Sequence, residues 1–256
     1  MSRRGERGRT MADDEADLTR RLAALYTGAV ADILDEMGCR NQCLPAEIRP
    51  LDPRMKVAGP IYPVRGRAKP PGDRPDPRYR QMDMLDAIYP GSVVVIDPGE
   101  ETRAAHWGEL MSNTARQKGA RGCIVNGGLR DSAQILEIGF PVFRRFHSPL
   151  TAVHRFEITD FGQPIAIGGV AVMPRDYVLG DIDGVLVIPR AIAADVVATA
   201  EAVREKEAKA VMPGFGGPGG FGPQPPDLKT FAERRTAAVA AQLADPSKGY
   251  VPQPLQ

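Results

Sequence analysis

The sequence predicts an α/β fold built around a partly parallel sheet. Short apolar runs, among them SVVVI (92–96) and GCIVN (122–126), alternate along the chain with helical patterns and with turns at Gly or Pro. Alternation of this kind is typical of α/β domains. The strand at 92–96, a helix at 109–119 and the strand at 122–126 form a βαβ unit, so we expect the two strands to be parallel.

Helical patterns dominate before residue 40. Asp13 and the acidic residues after it suit the first turn of a helix, because carboxylates interact favourably with the positive end of the helix dipole. Thr27 is expected to cap a second helix that ends at Gly38, a residue type common at helix C-termini. The stretch KVAGPIYPV (56–64) predicts a bent strand or a strand pair, and 82–88 predicts a short helix.

Beyond the βαβ unit the alternation continues. Apolar runs bounded by Gly or Pro predict strands, and longer amphipathic stretches that end at Gly predict helices. The expected elements, in order, are a turn at Gly127–Gly128, a helix at 131–138, strands around 141–143, 164–172 and 184–189 with turns at Pro174 and Gly180, and a helix at 191–211.

Composition divides the chain into four parts. The 27 Gly and 24 Pro residues exceed average usage, which is about 12% for the two together. Much of the excess falls in a polar loop at 69–78, which we interpret as a mobile lid, and in PGFGGPGGFGPQPP near residue 220. The expected organisation is a disordered leader at 1–12, an α/β domain at 13–211, a Gly/Pro-rich linker at 212–226 and a C-terminal helical arm at 227–256.

Charge and cysteine content exclude several classes of protein. The 33 Lys and Arg residues nearly balance the 32 Asp and Glu residues, whereas proteins that coat nucleic acid carry a basic excess. No apolar run is long enough for a membrane span, and no apolar segment follows the basic N-terminus as in a secretory signal. Three cysteines do not make a disulfide framework. We therefore expect free thiols in a cytoplasmic protein without nucleic acid or membrane partners.

The βαβ unit places chemically useful residues at one edge of the sheet. The helix begins beyond the carboxyl end of the first strand, and the loop after the second strand lies at the same edge, where ligands bind in open α/β sheets. We therefore expect Glu109 and the loop 127–131 to meet at this rim. Glu109 and Asp131 offer oxygen ligands suited to Mg²⁺ or Mn²⁺, and Arg130 can bind a carboxylate through two hydrogen bonds.

Backbone groups complete the predicted rim. The helix that begins at Glu109 presents the amides of Leu110 and Met111 to an anion, and Gly108 allows close approach of the backbone. Together these groups suit a small 2-oxo acid chelated to a divalent cation. A plainer interpretation stays open, in which Glu109 and Asp131 are ordinary acids at helix starts and Arg130 forms a surface ion pair.

The residues of the rim resemble a known site motif. Gly108-Glu109-Leu110, followed twenty residues after the carboxylate by Arg130-Asp131, is similar to the family of regulator-of-ribonuclease-activity A-like proteins and 4-hydroxy-4-methyl-2-oxoglutarate aldolases. The resemblance covers roughly residues 18–210 and also includes TGAVADILDEMG (27–38), YPGSVVVID (89–97) and GGVAVMPRDYVLGDIDGVLVIP (168–189). It implies a swivelling β/β/α-domain-like sandwich that assembles as a homotrimer or a dimer of trimers.

The resemblance also implies a role for each residue of the rim. Asp131 corresponds to the direct metal ligand, and Glu109 to a carboxylate that holds metal-bound water. Arg130 corresponds to the residue that orients the 2-oxo acid and stabilises its enolate. The amides of Leu110 and Met111 correspond to those that bind the carboxylate of the substrate.

Two details of the family pattern concern residues outside the rim. Aldolases of the family use a Glu from the C-terminal helix of a neighbouring subunit, for which Glu201, Glu205 and Glu207 are the candidates. Some aldolases carry an acid three residues after the aspartate of the Arg-Asp pair, where this chain has Gln134. That difference weakens the assignment of the named aldolase substrate.

The expected function is a metal-dependent lyase that cleaves a 4-hydroxy-2-oxo acid to pyruvate and decarboxylates oxaloacetate as a side activity. Two alternatives stay open. One is a non-catalytic binding protein like the ribonuclease-regulating members. The other is a different enolate-forming enzyme, such as a sugar-acid dehydratase or isomerase.

Several nearby residues allow less specific expectations. His106 either lines the pocket or is a solvated loop residue, and Trp107 is expected to pack. Arg144 and Arg145 are expected in a solvated basic turn, with contact to an acidic substrate as the alternative. Asp181 is expected to be structural, through hydrogen bonds at a Gly-rich turn.

Overall fold

A computed structural model of the protein describes residues 11–70 and 78–211. Within these ranges the chain forms six helices and eleven strands. The helices are α1 (Met11–Ala23), α2 (Thr27–Glu36), α3 (Arg78–Asp86), α4 (Glu109–Gln117), α5 (Ser132–Ile138) and α6 (Ala193–Val211). The strands are β1 (Arg49–Pro50), β2 (Val57–Ala68), β3 (Val93–Asp97), β4 (Ala105–Trp107), β5 (Gly122–Leu129), β6 (Val142–His147), β7 (Phe156–Phe161), β8 (Ile165–Ile167), β9 (Val170–Val172), β10 (Tyr177–Asp181) and β11 (Gly184–Ile188).

Several predicted segments lie outside the described residues. These are the linker at 212–226, the arm at 227–256, most of the lid at 69–78 and all but the last two residues of the leader at 1–12. Those last two residues, Met11 and Ala12, already belong to α1. No helix in the described part of the chain is long and apolar enough to cross a membrane.

Nine strands form one mixed sheet. Its order is β1-β6-β5-β3-β2-β10-β11, with β4 paired to β5 and β7 paired to β2, and β8 and β9 form a separate hairpin. The predicted α/β fold is confirmed, with a sheet that is nearly closed like a barrel.

The centre of the sheet is parallel, as the βαβ pattern predicts. β3 pairs in parallel with both β2 and β5, and β5 pairs in parallel with β6. Helix α4 connects β3 to β5, so the residues that follow these strands meet at the same edge. This edge is the predicted rim.

Alternation along the central strands supplies two apolar faces. Val94 and Ile96 face a core that includes Met84 of α3 and Ile135 of α5. The intervening Val93 and Val95 face a second core closed by the β8–β9 hairpin. Side chains of β-strands point alternately to opposite faces, so one apolar run serves both layers.

A third core joins the N-terminal and C-terminal helices. Residues of α1, α2 and α6 pack with Leu179 of β10 and Leu186 of β11. Burying one such side chain contributes about 1.5–3 kcal/mol relative to leaving it in water. The layered arrangement of helices on this sheet agrees with the sandwich that the resemblance implies.

Two predicted turns are wrong. Gly127 and Gly128 lie within β5, which continues to Leu129, and the pairing register with β6 shifts between Val125 and Gly128. Gly180 lies within β10, and the turn to β11 falls at residues 182–183. In both places a glycine in the strand admits close neighbours: Cβ atoms would lie 2.3 Å from Ala104 O at Gly128 and 3.0 Å from the Phe143 ring at Gly180.

The predicted cap of α2 is also wrong. Thr27 is the first helical residue, and the preceding Tyr26 makes no side-chain cap. The carboxylate of Asp181 instead accepts hydrogen bonds from the Thr27 amide at 2.8 Å and from its hydroxyl at 2.7 Å. Asp181 also accepts the Asp183 amide at 3.0 Å, so its predicted structural role is confirmed.

The remaining corrections concern strand extents and cysteines. The stretch 56–64 is a single strand, β2, with a register shift at Arg65–Gly66 where it pairs with β7. Strands β1, β4, β7 and β10 were not predicted, and the single strand expected at 164–172 is the hairpin of β8 and β9. The three cysteines are free thiols.

Candidate functional site

Two chain segments meet at the rim, as the βαβ pattern predicts. Arg130 and Asp131 connect β5 to α5, and Gly108 precedes the first residue of α4, Glu109. The Glu109 amide donates to Asp131 Oδ2 at 3.2 Å, and Arg130 Nε lies 3.4 Å from the same oxygen. The Arg130 and Asp131 side chains are 41% and 39% exposed. The charged groups are therefore fixed in place but open to a ligand.

Asp131 has a backbone conformation that few residues adopt. Its φ is 56° and its ψ is 37°, in the left-handed region that aspartate tolerates better than most side chains. Asp131 occupies the N-cap position of α5, yet its side chain makes no capping hydrogen bond to that helix. The plain interpretation therefore holds for position, because Asp131 and Glu109 stand at helix starts and Arg130 pairs with Asp131, but the Asp131 carboxylate accepts from the first residue of α4 and does not cap α5.

Gly108 leaves the space that the Asp131 carboxylate occupies. A Cβ atom at Gly108 would lie 2.7 Å from Asp131 Oδ2 and 3.4 Å from Arg130 Cγ. Its φ of −159° is ordinary extended backbone, so the requirement for glycine is steric. Gly108 thus permits the contact between the two segments.

Two backbone amides of α4 border a cleft beside the rim. Gly108 caps the helix without a side chain, and no acceptor for the Leu110 or Met111 amide is found among the described residues. Both residues line the cleft, together with Arg130 and Asp131. Free amides at a helix N-terminus bind anions, so the cleft can take a carboxylate.

The carboxylate of Glu109 is less directly placed. Its Oε1 accepts a hydrogen bond from Asn113 Nδ2 at 2.5 Å, and Glu109 is not part of the cleft wall. In the part of the chain that the structure describes, no group of three His, Cys, Asp or Glu residues could hold a metal. The oxygen donors here fit Mg²⁺ or Mn²⁺, which commonly bind one or two carboxylates and keep several waters.

His106 lies beneath the rim and is fully buried. Its Nδ1 accepts a hydrogen bond from the Gly128 amide at 3.1 Å, and its Nε2 lies 3.0 Å from Glu101 Oε2. Because Nδ1 accepts, the proton of the neutral ring is on Nε2, which donates to Glu101. Burial lowers the pKa of His106, and the nearby Glu101 offsets part of this effect. His106 lines the cleft and is not the solvated loop residue of the alternative expectation.

Glu101 is a buried residue that sequence reasoning missed. Its Oε2 also accepts the Ala104 amide at 2.7 Å and the Arg103 amide at 3.1 Å. It lies in the loop between β3 and β4, where apolar residues do not recur at a regular spacing, so no sequence pattern indicated that it is buried. Glu101 and His106 together hold the loop against β5.

Trp107 fixes the start of α4. Its side chain is 1% exposed, which confirms the expected packing role. Its Nε1 donates to Ser112 Oγ at 2.8 Å, and Ser112 Oγ donates to Gly108 O at 3.0 Å. This chain of bonds orients the first turn of α4, whose residues Leu110 and Met111 line the cleft.

The other candidate residues lie apart from the rim or in different elements than expected. Glu201 forms two hydrogen bonds with Arg21, at 3.0 and 2.6 Å, so within its own chain this carboxylate is already paired. The side chain of Glu207 lies outside the described residues. Arg144 and Arg145 lie on strand β6 and not in a turn.

The fold and the rim define an α/β protein in which carboxylates, an arginine and helix amides meet at one edge of the sheet. The family model described as RraA-like (Aldolase/RraA) matches residues 27–187. The chain therefore belongs to the RraA-like family, as the motif predicts.

The curated relatives include proteins named as aldolases and a protein with a different name. A protein of Halalkalibacterium halodurans named "Putative 4-hydroxy-4-methyl-2-oxoglutarate aldolase" is 32% identical over 183 residues, which cover 70% of this chain and 80% of the relative. Protein DlpA of Legionella pneumophila is 29% identical over 196 residues, or 77% of this chain. The chain spans only 31% of the length of DlpA.

Solved structures share the fold. A crystal structure described as novel cellulases from microbes associated with the gut ecosystem matches with a TM-score of 0.73 and 36% identity, covering 80% of this chain and 90% of that one. Streptomyces coelicolor RraAS2, described as an unusual member of the RNase ES inhibitor RraA family, matches with a TM-score of 0.67 and 25% identity, covering 77% and 96%.

Proposed function

We propose that this protein is a divalent-metal-dependent lyase that cleaves a 4-hydroxy-2-oxo acid to pyruvate, with oxaloacetate decarboxylation as a second activity. The observation that carries the proposal is the meeting of the Asp131 carboxylate, the Arg130 guanidinium and two free helix amides at one cleft. A 2-oxo acid needs such groups, because both its carboxylate and its developing enolate are anionic. The relatives named as aldolases support the same reaction class.

Asp131 would hold a Mg²⁺ or Mn²⁺ ion, with Glu109 bonding to water around it. When bound, this ion supplies Lewis-acid stabilisation of the negative charge on the substrate oxygens. The 39% exposure of Asp131 leaves its carboxylate open to a cation.

The protein's own groups bind and orient the substrate. The amides of Leu110 and Met111 donate to its carboxylate, and Arg130 donates to the 2-oxo oxygen. A water molecule takes the proton of the 4-hydroxyl as the C3–C4 bond breaks, and the electron pair of that bond stays on the pyruvate fragment, which leaves a carbonyl product and the pyruvate enolate. The enolate then takes a proton at C3 to give pyruvate.

Arg130 contributes most when the enolate forms. Negative charge on the former 2-oxo oxygen grows in the transition state, so a fixed guanidinium stabilises that state more than the bound substrate. Oxaloacetate gives the same enolate when its C3–C4 bond breaks with loss of CO₂. One site therefore serves both reactions.

A coupled assay tests the proposal. With Mg²⁺ or Mn²⁺, the purified protein should release pyruvate from oxaloacetate and from a 4-hydroxy-2-oxo acid, detected with lactate dehydrogenase and NADH, and a chelator should abolish the release. Arg130→Gln should lower kcat by about a hundredfold or more. Arg145→Gln is the matched control, because Arg145 faces Glu47 at 3.8 Å. Release no faster than with metal alone would disprove the lyase.

A second candidate function is a binding protein that regulates a ribonuclease. The similarity to RraAS2 favours it, and the Leu110 side chain, 74% exposed beside the rim, offers an apolar contact. In that case the protein would inhibit ribonuclease ES without turning over any 2-oxo acid, and Leu110→Ser would weaken the inhibition more than Arg130→Gln.

Glycoside hydrolysis is less well supported by the cleft. Such enzymes need one protonated carboxylic acid and one carboxylate across the scissile bond. The cleft carboxylates Asp131 and Glu157 each face an arginine, Arg130 at 3.4 Å and Arg67 at 2.6 Å. Each of these carboxylates is therefore already paired with a guanidinium.

We also propose assembly as a homotrimer or a dimer of trimers. A neighbouring subunit would then supply a Glu to the cleft, for which Glu205 is the described candidate whose carboxylate is not engaged by Arg21. Multi-angle light scattering at micromolar concentration measures the assembly, and a monomeric mass would contradict it.

A further inference from the structure

The cleft has a second polar region besides the groups assigned to the 2-oxo acid. Gln81 of α3 and Thr151, in the segment between β6 and β7, border the cleft together with Glu157 of β7. The other wall residues of this segment and of β7 are apolar: Ala152, Val153, Phe156 and Ile158. We call Gln81 and the wall residues between 151 and 158 the α3–β7 wall.

Gln81 presents a side-chain amide from an anchored helix. The neighbouring Arg80 donates through Nη2 to Thr159 O at 3.0 Å, and its guanidinium carbon lies 5.0 Å from the centre of the Phe161 ring. Met84, one turn further along α3, is fully buried in the core. No hydrogen bond of the Gln81 side chain is found among the described residues. An amide carries two N–H donors and an acceptor oxygen, so Gln81 can pair with a group that both donates and accepts.

The Thr151 hydroxyl offers a further donor on this wall. Its Oγ1 accepts the Val153 amide at 3.3 Å, and no acceptor for the hydroxyl proton is found among the described residues. Thr151 pairs with Ala105 in an isolated bridge, and Ala105 also lines the cleft. The backbone around Thr151 is therefore held in place beside the cleft.

The charges of the cleft disfavour a second carboxylate on the substrate. Among the described residues that line it, Arg130 is the only lysine or arginine, and the proposed function assigns it to the 2-oxo group. Glu157 adds a negative charge, and its partner Arg67, at 2.6 Å, does not line the cleft. A buried charge without an opposite charge is costly, whereas a hydroxyl group needs only hydrogen bonds. The α3–β7 wall therefore fits a neutral hydroxyl group.

We propose that the α3–β7 wall binds a hydroxylated tail of the substrate, with Gln81 as the specificity-determining residue and Thr151 as a second hydrogen-bonding residue. The substrate class is then a 4,5-dihydroxy-2-oxo acid, the kind of product that forms when a sugar acid loses water. This assignment rests on the proposed function, because Arg130 must hold the 2-oxo end.

The products follow from the same bond cleavage as in the proposed lyase reaction. In 4,5-dihydroxy-2-oxopentanoate, the 4-hydroxyl loses its proton as the C3–C4 bond breaks, and C4 becomes the aldehyde carbon of glycolaldehyde. The electron pair of the bond stays on the other fragment as the pyruvate enolate, which takes a proton at C3. The 5-hydroxyl takes no part in the chemistry, so its effect on the rate reports binding to the wall.

A turnover experiment compares two acids that differ by that hydroxyl. In the full-length protein, kcat/KM for 4,5-dihydroxy-2-oxopentanoate should exceed that for 4-hydroxy-2-oxopentanoate. Gln81→Leu and Thr151→Val should each lower this ratio by about fivefold, as expected for one hydrogen bond between neutral groups. Gln117→Leu, at the exposed end of α4, is the matched control and should keep the wild-type ratio.

A binding experiment uses three five-carbon acids that differ only at C5. 5-Hydroxy-2-oxopentanoate, 2-oxopentanoate and 2-oxoglutarate carry a hydroxymethyl, a methyl and a carboxylate group there, and none has the 4-hydroxyl that cleavage requires. Calorimetry with Mg²⁺ should show the tightest binding for the hydroxyl compound and the weakest for 2-oxoglutarate. Gln81→Leu should reduce the preference for hydroxyl over methyl by about fivefold.

The two experiments separate this assignment from the proposed function. If no acid is cleaved, but the hydroxyl preference exists and falls in Gln81→Leu, the lyase is wrong and the assignment of the wall stands. Equal affinities for the hydroxyl and methyl compounds, tighter binding of 2-oxoglutarate, or a preference unchanged in both Gln81→Leu and Thr151→Val would overturn the assignment, even if both 4-hydroxy acids are cleaved.

Discussion

The rim and the layer beneath it are held by different forces. At the rim, the Arg130 and Asp131 side chains are 41% and 39% exposed, and a single close contact joins them. Beneath it, the side chains of His106 and Glu101 are 0% and 4% exposed and hydrogen-bond to each other and to backbone amides. Substitutions at the rim should therefore change chemistry, and substitutions beneath it should change stability.

The buried layer is sensitive to substitution because each of its polar groups depends on another group of the protein for its hydrogen bond. A buried donor or acceptor that loses its partner costs about 1–3 kcal/mol. The Gly128 amide donates to the ring of His106, so this side chain of β4 helps to hold β4 against β5. The exposed rim has no such dependence, since water can replace a lost partner.

The largest expected effect is on catalysis at the rim. Asp131→Asn removes the carboxylate charge, and asparagine tolerates the left-handed backbone at φ 56°. We expect kcat/KM for oxaloacetate to fall by about 10²–10³-fold, with the thermal midpoint unchanged within the error of the melt. Asp86→Asn, on the surface of α3, is the control. A collapse of the midpoint in Asp131→Asn would mean that the rim is structural.

The next effect is on stability beneath the rim. A Cβ atom at Gly128 would lie 2.3 Å from the carbonyl oxygen of Ala104, which belongs to the backbone and cannot move freely. Gly128→Ala should therefore lower the free energy of unfolding by about 3 kcal/mol. Gly28→Ala in α2 is the matched control, because its nearest contact is 3.4 Å. There, denaturant titration should show stability unchanged or raised by about 0.5–1 kcal/mol.

A third glycine tests the boundary between the two regions. The new Cβ in Gly108→Ala would meet Asp131 Oδ2 at 2.7 Å, but that oxygen ends a partly exposed side chain that can rotate away. We expect stability within about 1 kcal/mol of wild type and a loss of about tenfold in kcat/KM from the displaced carboxylate. A stability loss as large as that of Gly128→Ala, with catalysis unchanged, would show that the rim and the buried layer respond to substitution in the same way.

The smallest effect is on the pH dependence of stability. Burial lowers the pKa of His106 in the folded state, whereas the unfolded side chain titrates near about 6.5. Below that pH the unfolded chain binds the proton more readily, so acid favours unfolding and stability falls as pH falls. The stability contributed by His106 should therefore be lost as the pH falls below about 6.5.

Denaturant titrations across this range measure the slope. His106→Gln lacks the titrating ring, so its stability should depend less on pH, whatever its absolute value. A variant with the wild-type slope would show that His106 is charged in the folded state, and that the tautomer inferred from its two hydrogen bonds is wrong.

Sequence reasoning predicted the residues that meet at the rim, but it did not predict the buried residues beneath them. The βαβ pattern placed Glu109 and Asp131 at one edge because parallel strands end at the same side of a sheet, and the hydrogen bond between them confirms this juxtaposition. The motif also predicted the family. The roles of Asp131, Arg130 and Glu109 in catalysis stay predictions.

The errors have a common physical cause. The frequent occurrence of glycine in turns predicts a turn at Gly127 and Gly128, but these glycines make room for His106 and Ala104 inside a strand. The residue type of Thr27 predicts a helix cap, whereas the acceptor of its hydroxyl is Asp181, 154 residues away in the chain. The local propensity of a residue carries no information about a contacting group that is distant in sequence.

The sequence by itself determined the fold class, the parallel centre of the sheet and the meeting of Gly108–Glu109 with Arg130–Asp131. These follow from the period of apolar residues and from the geometry of a βαβ unit, which are local properties. Only the tertiary structure decided the burial of Glu101 and His106, the position of Gln81 in the cleft wall and the free state of the α4 amides. Each of these depends on which groups from distant segments share a low-dielectric space, and hydrogen-bond partners there are set by packing.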